Sequence, residues 1–398
     1  MTAASVTSLA LDSGSGMAVP TADTAEFLFR SGTRCLRGEG VFSSITTPAA
    51  TSEGQALMAA VEQAFERARA AGIEQPVLMG AIPFDTTEPS CLYVPARYRW
   101  VEGEPARPQP GAAGSAPTVL SQRSVPDEAG FKAAVSQAIA NFRSSTIRKA
   151  VLSRMLEVQL DGPVQVENIL ARLAQQNAQG YHFRIPLPGE GELIGVSPEL
   201  LVRKRGNRLY SNPLAGSAKR RVDAQEDRSV ADALLNSEKD HYEHRLVVED
   251  IRRVLTPHCT QLHIPEQPSL LSTAAMWHLS TALEGELRDP RHSSLQLACK
   301  LHPTPAVCGA PTDLARKLIN LVEPFERGLF TGMVGWCDAA GNGEWVVTIR
   351  CGTVVGDRLR LFAGAGIVEA SDPAAEWAET QAKLGTMLAA CGLAEGQV

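Results

Sequence analysis

The stretch GNGEWVVTIRCGTVVGDRLRLFAGAGIVEASDPAAEWAETQAKLGTMLAA, residues 341–390, shows most directly which fold class this chain adopts. Its first half contains two runs, GEWVVTIRCGTVV and DRLRLFAGAG, whose β-branched and aromatic side chains are typical of strands. Its second half predicts a closing helix over residues 373–390, and Pro373 suits the first helical turn. Strands that follow one another before a helix lack the regular rhythm of a doubly wound sheet, so we predict an α+β fold.

The same irregular alternation continues towards the N-terminus. A helix is predicted to begin after Asp127, which is a candidate N-cap, and to end near residue 145. Further patterns indicate strands over 149–160 and 192–204, a long helical stretch over 223–255 and a shorter helix over 312–322.

Two stretches have the composition of irregular segments. Residues 1–20 are small and polar, which predicts a loose leader. Residues 102–127 are rich in proline, glycine, alanine and serine, which predicts a surface linker or long loop. Almost all candidate functional residues lie after this second stretch.

Bulk composition limits the classes of partner. With 38 basic and 44 acidic residues, the net charge is −6, so no overall basic field attracts nucleic acid or an anionic membrane. The eight cysteines form no Cys-x-x-Cys pair and no zinc-like spacing with the histidines. Because we find neither a signal-peptide pattern nor an apolar run of bilayer length, we expect a cytoplasmic protein.

Two acidic faces are predicted on helices that are distant in sequence. In PAAEWAETQAKL, helical spacing places Glu376, Glu379 and Lys383 on one face, and in SEKDHYEHRLVV it does the same for Asp240 and Glu243. Brought together, these carboxylates would suit a hard cation such as Mg²⁺. Spacing alone favours the simpler interpretation, in which both are solvated helix faces.

A series of motifs in this chain resembles the chorismate-utilising enzymes, and in particular the isochorismate synthases of the enterobactin, or siderophore, type. The motifs span residues 149–384 in the order and spacing of that family. They are KAVLSR (149–154), GVSPELL (195–201), PLAGSAKRR (213–221), SEKDHYEH (237–244), MWHLST (276–281), LHPTPAVCG (301–309), EPFERGLFTGMVGWCD (323–338), GNGEWVVTIRC (341–351) and LFAGAGIVEASDPAAEWAET (361–380).

The resemblance implies a single catalytic unit over residues 21–398. Stacked antiparallel β-sheets would be surrounded by helices, with the active site in a central cleft. The proline-rich stretch would be a surface loop of this unit, not a domain boundary. Chorismate and isochorismate would be the small-molecule partners, and family analogy favours a monomer.

By the same resemblance, Lys149 is the general base that activates water, and Glu199 is the general acid that protonates the leaving hydroxyl. Hydroxide is a poor leaving group and water a weak nucleophile, so the reaction needs both. Without the resemblance, Lys149 would be interpreted as a surface lysine. Glu199 would equally well be an outward-facing residue of an edge strand.

The resemblance also implies the remaining site residues. Glu243 and Glu379 would hold Mg²⁺, with Asp240 and Glu376 nearby. Substrate contacts would come from Arg350 and Lys383 at the enolpyruvyl carboxylate, from close backbone approach at Gly216, Ser217, Ala306 and Gly364, and from His278. Without the resemblance, these glycines would equally well be interpreted as turn or bulge residues. His278 would more often be a core histidine whose ring nitrogens are hydrogen-bonded within the protein.

Two positions favour water over ammonia as the nucleophile. Anthranilate-type relatives carry glutamine where Lys149 stands, and aminodeoxychorismate-type relatives carry a nucleophilic lysine where Ala215 stands. We therefore expect no glutamine amidotransferase subunit.

Three alternatives remain open from the sequence. A salicylate synthase forms isochorismate and then eliminates pyruvate. Val307 and Phe330 are expected to line the ring and to govern which step dominates. Leucine is usual at position 307 in enterobactin-type members, so the smaller Val307 is a departure from them. A menaquinone-pathway synthase is a second alternative, although the GNGEWVVTIRC match (341–351) favours the siderophore type. A non-catalytic chorismate-binding protein would share the fold.

Overall fold

The structure of this chain is a computed structural model that describes residues 24–50, 54–103, 117–189 and 191–393. The predicted leader at 1–20 lies outside these ranges, as do residues 104–116 of the predicted loop.

The described residues form helices and strands in irregular alternation. The helices are α1 (Gln55–Ala70), α2 (Glu128–Ser144), α3 (Val166–Gln176), α4 (Ala224–Leu235), α5 (Glu238–Leu255), α6 (Ser294–Leu301), α7 (Thr312–Val322) and α8 (Pro373–Cys391). The strands are β1 (Glu26–Ser31), β2 (Arg34–Ile45), β3 (Val77–Ile82), β4 (Cys91–Glu102), β5 (Val119–Val125), β6 (Lys149–Leu160), β7 (Tyr181–Pro186), β8 (Glu192–Ser197), β9 (Leu200–Arg205), β10 (Arg208–Asn212), β11 (Leu214–Lys219), β12 (Cys259–His263), β13 (Ser269–Ser272), β14 (Met276–Ser280), β15 (Leu283–Leu287), β16 (Gly309–Ala310), β17 (Met333–Asp338), β18 (Gly343–Val347), β19 (Cys351–Val355) and β20 (Arg358–Ile367).

The strands pair antiparallel throughout the large sheet. Its order is β5–β6–β20–β19–β8–β7–β1–β2–β4–β3–β17–β18–β9–β10–β15–β12, and β16 pairs with the start of β6. One buried cluster joins Phe29 and Phe183 of β1 and β7 to Val334 and Val346 of β17 and β18. The sheet therefore folds over so that two layers face each other. The predicted α+β fold with stacked antiparallel sheets is confirmed.

The helices cover the outer faces of this sheet. Leu173 of α3 and Leu384 of α8 pack on Leu361 of β20 in one cluster, and α2 and α7 pack beside β6 in another. Helices α1, α5 and α6 pack on the other half, and β11, β14 and β13 form a small separate sheet against α4 and α5. No helix of the described residues combines the length and the apolar composition that crossing a lipid bilayer requires.

Several predicted boundaries are confirmed. Asp127 caps α2 by accepting a hydrogen bond from the Gly130 backbone N–H at 2.8 Å. Pro373 stands in the first turn of α8, which ends at Cys391 before Gly392 in the left-handed region. The strand at 149–160 and the helix at 312–322 also have the predicted bounds.

Three predicted segments are wrong in part. The helical stretch over 223–255 divides, because Ser237 caps a new helix by accepting a hydrogen bond from the Asp240 N–H at 3.3 Å. The strand over 192–204 is interrupted at Pro198, which leaves Glu199 in the turn between β8 and β9. The loop predicted over 102–127 contains β5, whose mostly exposed side chains give no apolar alternation although its backbone pairs with β6.

Candidate active site

A cleft lies between the central strands and helices α5 and α8. It brings together residues from motifs that are far apart in sequence. Its lining residues are Val151, Pro198, Glu199, Leu214, Ser217, Glu243, His278, Ala306, Val307, Phe330, Thr331, Ile349, Arg350, Phe362, Ala363, Gly364, Gly366, Glu379 and Lys383.

Four of the predicted site residues, Lys149, Gly216, Asp240 and Glu376, do not line this cleft directly. Gly216 has φ 77°, and a Cβ there would stand 2.9 Å from the Cβ of Asp240. The lack of a side chain at this position therefore lets β11 approach α5, and the neighbouring Ser217 lines the cleft.

Lys149 begins β6 and has no exposed surface. Its Nζ lies 2.9 Å from Oε1 of Glu243, which does line the cleft, so the amine stands directly behind that carboxylate. Gly366 on β20 makes the pair possible, because a Cβ at this position would overlap Oε1 of Glu243 and stand 3.0 Å from Cε of Lys149. Sequence reasoning selected Gly364 and missed Gly366, although the repeat in FAGAG contains both.

Glu199 occupies the turn between β8 and β9 and is only 3% exposed. Burial raises its pKa to about 7, although the Leu214 backbone N–H, 3.3 Å from Oε1, and the charge of Lys149 act in the opposite direction. At neutral pH a substantial fraction of this carboxyl therefore carries a proton. That is the state that a general acid needs.

Lysines neutralise the carboxylates of α5 and α8. Besides the pair behind the cleft, Lys239 Nζ lies 2.7 Å from Glu376 Oε1, and Lys383 Nζ lies 2.6 Å from Glu379 Oε1. Burial, followed by the charge of Glu379, raises the pKa of Glu376 to about 7. Burial also raises the pKa of Asp240, which additionally feels the negative charges of Glu243 and Glu379.

The donor set fits a hard cation. Glu243 and Glu379 line the cleft from different helices and offer only carboxylate oxygens. No three or more histidine, cysteine, aspartate or glutamate side chains of the described residues are already grouped as metal ligands. Mg²⁺ does not need such a group, because it commonly binds one or two carboxylates and completes its shell with water and substrate oxygens.

Two cationic side chains converge on the other part of the cleft. Arg350 is 7% exposed, and burial lowers its pKa to about 10, so it stays charged at neutral pH. Its guanidinium makes no ion pair or hydrogen bond with another residue in the described part of the chain and is available to an anion. Lys383 also donates a hydrogen bond to the Gly364 carbonyl at 2.8 Å, which fixes its ammonium at the cleft.

His278 is a neutral polar group in the cleft wall. Burial, reinforced by the charges of Arg350 and Lys383, holds its pKa well below the ordinary value. Nδ1 lies 2.9 Å from the Ser217 hydroxyl, whereas Nε2 is buried and has no partner among the described residues. That unsatisfied nitrogen could hydrogen-bond a polar group of a ligand.

A stacked aromatic pair forms part of the apolar wall. The rings of Phe330 and Phe362 lie 5.0 Å apart at 13°, and Val307 lines the same cleft. Thr331, which sequence reasoning did not select, has φ 59° and lines the cleft beside Phe330. No sequence signal indicates this conformation, because threonine rarely adopts it.

Comparison with known proteins identifies the family. Residues 101–392 match the family model described as chorismate binding enzyme. This chain belongs to that family. It is 42% identical over 378 residues to isochorismate synthase DhbC of Bacillus subtilis, an alignment that covers 92% of this chain and 94% of the relative. It is 42% identical over 374 residues to isochorismate synthase EntC of Escherichia coli, with coverage of 92% and 95%.

Solved structures of the family share the fold. The DhbC protein of Bacillus anthracis superposes with a TM-score of 0.87 at 43% identity, covering 93% of this chain and 97% of that one. The menaquinone-specific isochorismate synthase MenF of Escherichia coli gives 0.78 at 25% identity, with coverage of 92% and 90%. The expected family membership is confirmed.

Proposed function

We propose that this protein is a Mg²⁺-dependent isochorismate synthase, an isomerase that converts chorismate reversibly into isochorismate. One observation carries the proposal. Glu199, a buried carboxyl with a pKa near 7, opens into the same cleft as Glu243. The carboxylate of Glu243 in turn pairs with the buried amine of Lys149. This arrangement supplies a proton donor and a candidate proton acceptor to one ligand.

The reaction exchanges one hydroxyl for another across a conjugated ring. Water attacks C2, the double bonds shift, and hydroxide leaves C4. Protonated Glu199 donates its proton to the departing oxygen. The resulting carboxylate is stabilised by nearby positive charge, since Lys149, Arg350 and Lys383 all lower the pKa of Glu199.

Lys149 is proposed as the base that takes a proton from the attacking water. In the structure its amine is engaged with Glu243 at 2.9 Å, so this role requires the amine to leave that carboxylate. Glu243 and Glu379 would hold Mg²⁺, with Asp240 and Glu376 beside them, and the bound cation would neutralise the ring carboxylate of the substrate. Lys149 would then lie beside a carboxylate already occupied by another cation.

The rest of the cleft binds and orients the dianion. Arg350 and Lys383 are proposed to bind the enolpyruvyl carboxylate, because a guanidinium and an ammonium both suit such a group. Phe330 and Phe362, which stack on each other in the cleft wall, are proposed to pack against the cyclohexadiene. Ser217, His278, Ala306 and Gly364 are proposed to complete the contacts. The water-based mechanism requires no glutamine amidotransferase subunit, and we propose that the chain acts as a monomer.

A second candidate function is salicylate synthase. The observation in its favour is Val307, which lines the cleft and is smaller than the leucine expected there, so the ring has more room. Siderophore biosynthesis is the proposed pathway. Its support is the extent of the alignment, because DhbC and EntC match 92% of this chain at 42% identity, whereas MenF of Bacillus subtilis matches 67% at 39%.

The deciding experiment incubates the purified chain with chorismate, with and without Mg²⁺, and separates the products by chromatography. Isochorismate formed only with Mg²⁺ supports the proposal. Salicylate and pyruvate in equal amounts would identify the second candidate. Binding of chorismate without any product would identify a non-catalytic binding protein. Lys149→Ala, assayed beside the exposed-site control Glu62→Gln on α1, shows whether turnover belongs to this cleft.

A further inference from the structure

A buried ion pair lies behind the cleft and belongs to none of the proposed catalytic or metal-binding groups. Glu323 follows α7, and Arg327 is four residues later; their side chains are 4% and 3% exposed and meet at 2.6 Å. Neither residue lines the cleft. Ion pairs this deeply buried seldom add stability over apolar packing, so stability alone does not account for this one.

The pair is hydrogen-bonded to the backbone of the segments that form the cleft wall. Nη1 of Arg327 donates to the Val307 carbonyl at 2.8 Å, and Nη2 donates to the Val151 carbonyl at 2.7 Å. Oε1 of Glu323 accepts from the Ser153 backbone N–H at 2.7 Å.

The same guanidinium reaches the aromatic side of the cleft. Nη1 of Arg327 also donates to the Thr331 hydroxyl at 3.2 Å, and Thr331 follows Phe330 in a left-handed backbone conformation. The planar fork of one arginine thus connects β6, the turn containing Val307, and the Phe330 segment. Lysine cannot reproduce this because its ammonium is a single point of donation.

The three connected segments have different proposed tasks. β6 begins at Lys149, two residues before Val151, so it positions the proposed base. Val307 and Phe330 line the cleft where the ring binds. The distance between base and wall therefore depends on Arg327.

We propose that Glu323 and Arg327 are a positioning pair that holds the ring-binding wall against β6 and so keeps isochorismate from eliminating pyruvate. The inference rests on the proposed function. In the elimination, the ether bond between ring C3 and oxygen breaks, and the hydrogen on C2 moves to the enolpyruvyl methylene carbon. Salicylate and pyruvate result, and no co-reactant is needed.

Elimination requires the enolpyruvyl group to fold over C2. A ring-binding wall held in place against β6 leaves too little space for that movement. Arg327→Lys keeps the positive charge but breaks the links to Val151, Val307 and Thr331. We expect the ratio of pyruvate to isochorismate to rise about tenfold, in line with the loss of hydrogen bonds from a charged donor. We also expect kcat for isochorismate to fall while KM for chorismate changes less, because Arg350 and Lys383 are untouched.

The matched control is Arg203→Lys, which alters another ion pair of the same sheet, Arg203 with Glu344 at 2.9 Å, outside the cleft lining. It is expected to lower the Tm but to leave the product ratio at the wild-type value. Glu323→Gln keeps an acceptor for Ser153 and is expected to shift the ratio in the same direction by less. If Arg327→Lys does not fold, the product ratio of Glu323→Gln tests the positioning role in its place.

Pyruvate is measured by coupled reduction with lactate dehydrogenase, and isochorismate by chromatography of the same samples. If folded Arg327→Lys, or failing that Glu323→Gln, keeps the wild-type ratio, the pair is merely structural and the inference is overturned. If wild-type protein forms no isochorismate, the proposed function fails first and the inference with it. The wild-type sample therefore distinguishes the two failures.

Discussion

Replacing Glu199 by glutamine should make the protein more stable and less active. The pKa of about 7, against an ordinary 4.5, means that burial disfavours the ionised carboxylate. In the folded chain the group keeps its proton to a higher pH than in the unfolded chain. Wild-type stability therefore falls as pH rises from about 4.5 through about 7, because the unfolded state releases the proton first.

The size of the effect follows from the two pKa values. Each pKa unit corresponds to about 1.4 kcal/mol, so ionised Glu199 costs the folded state about 3 kcal/mol above pH 8. Glutamine has the same shape and keeps an oxygen for the Leu214 N–H, but it never ionises. Glu199→Gln should therefore match wild type near pH 4 and exceed it by about 3 kcal/mol near pH 8.5.

The assay is urea unfolding at several pH values in the presence of a chelator, which keeps metal binding out of the comparison. Glu62→Gln, an exposed change on α1, should follow the wild-type curve at every pH. The same Glu199→Gln sample should show no isochorismate formation. A variant whose free energy of unfolding follows wild type from pH 4 to 8.5 would show that Glu199 is not destabilised by ionisation, and the assignment of a protonated acid would be withdrawn.

Three further substitutions test other parts of the site. Lys149→Ala should lower turnover by at least about a hundredfold while the circular dichroism spectrum is unchanged, because a proton-transfer partner is lost; wild-type turnover would remove Lys149 from the mechanism. Glu379→Ala should raise the Mg²⁺ concentration needed for half-maximal thermal stabilisation at least about tenfold. The control Glu249→Ala, an exposed change on α5, should leave that concentration unchanged. If both variants need the same Mg²⁺ concentration, Glu379 is not a ligand. Gly366→Ala should abolish turnover because the added methyl overlaps Glu243. The control Gly162→Ala, where a Cβ meets no atom within 4 Å, should leave turnover unchanged. A fully active Gly366→Ala would contradict the close approach of Glu243 to β20.

Local patterns predicted the elements whose ends carry strong chemical signals. Asp127 and Pro373 marked helix starts that the structure confirms, because capping and first-turn preferences act within a few residues. The break before Ser237 was missed because helical periodicity continues across it. β5 was missed because its stability comes from backbone pairing with β6, which leaves no trace in its exposed side chains.

The structure brings most of the proposed site residues to one cleft, but the contacts among them could not be predicted from the sequence. Glu199, Arg350 and Lys383 were identified through motif resemblance, and the structure places all three around one cleft. The pairs of Lys149 with Glu243 and Lys239 with Glu376 join elements separated by many residues, and no local spacing encodes them. Gly366 was missed because its importance comes from Glu243 and Lys149, which lie opposite it, and Thr331 was missed because no sequence signal indicates its left-handed backbone.

Thr331 and Arg350 have left-handed backbone conformations, so thermal stability is expected to trade off against the anion binding proposed for Arg350. Each such residue costs about 1–3 kcal/mol of strain, and glycine would relieve it. Laboratory evolution that selects for thermal stability should therefore enrich glycine at position 350, which removes both the backbone strain and the guanidinium. Variants selected from such a library should have a higher melting temperature and no turnover. Selection for turnover should restore arginine at the expense of melting temperature.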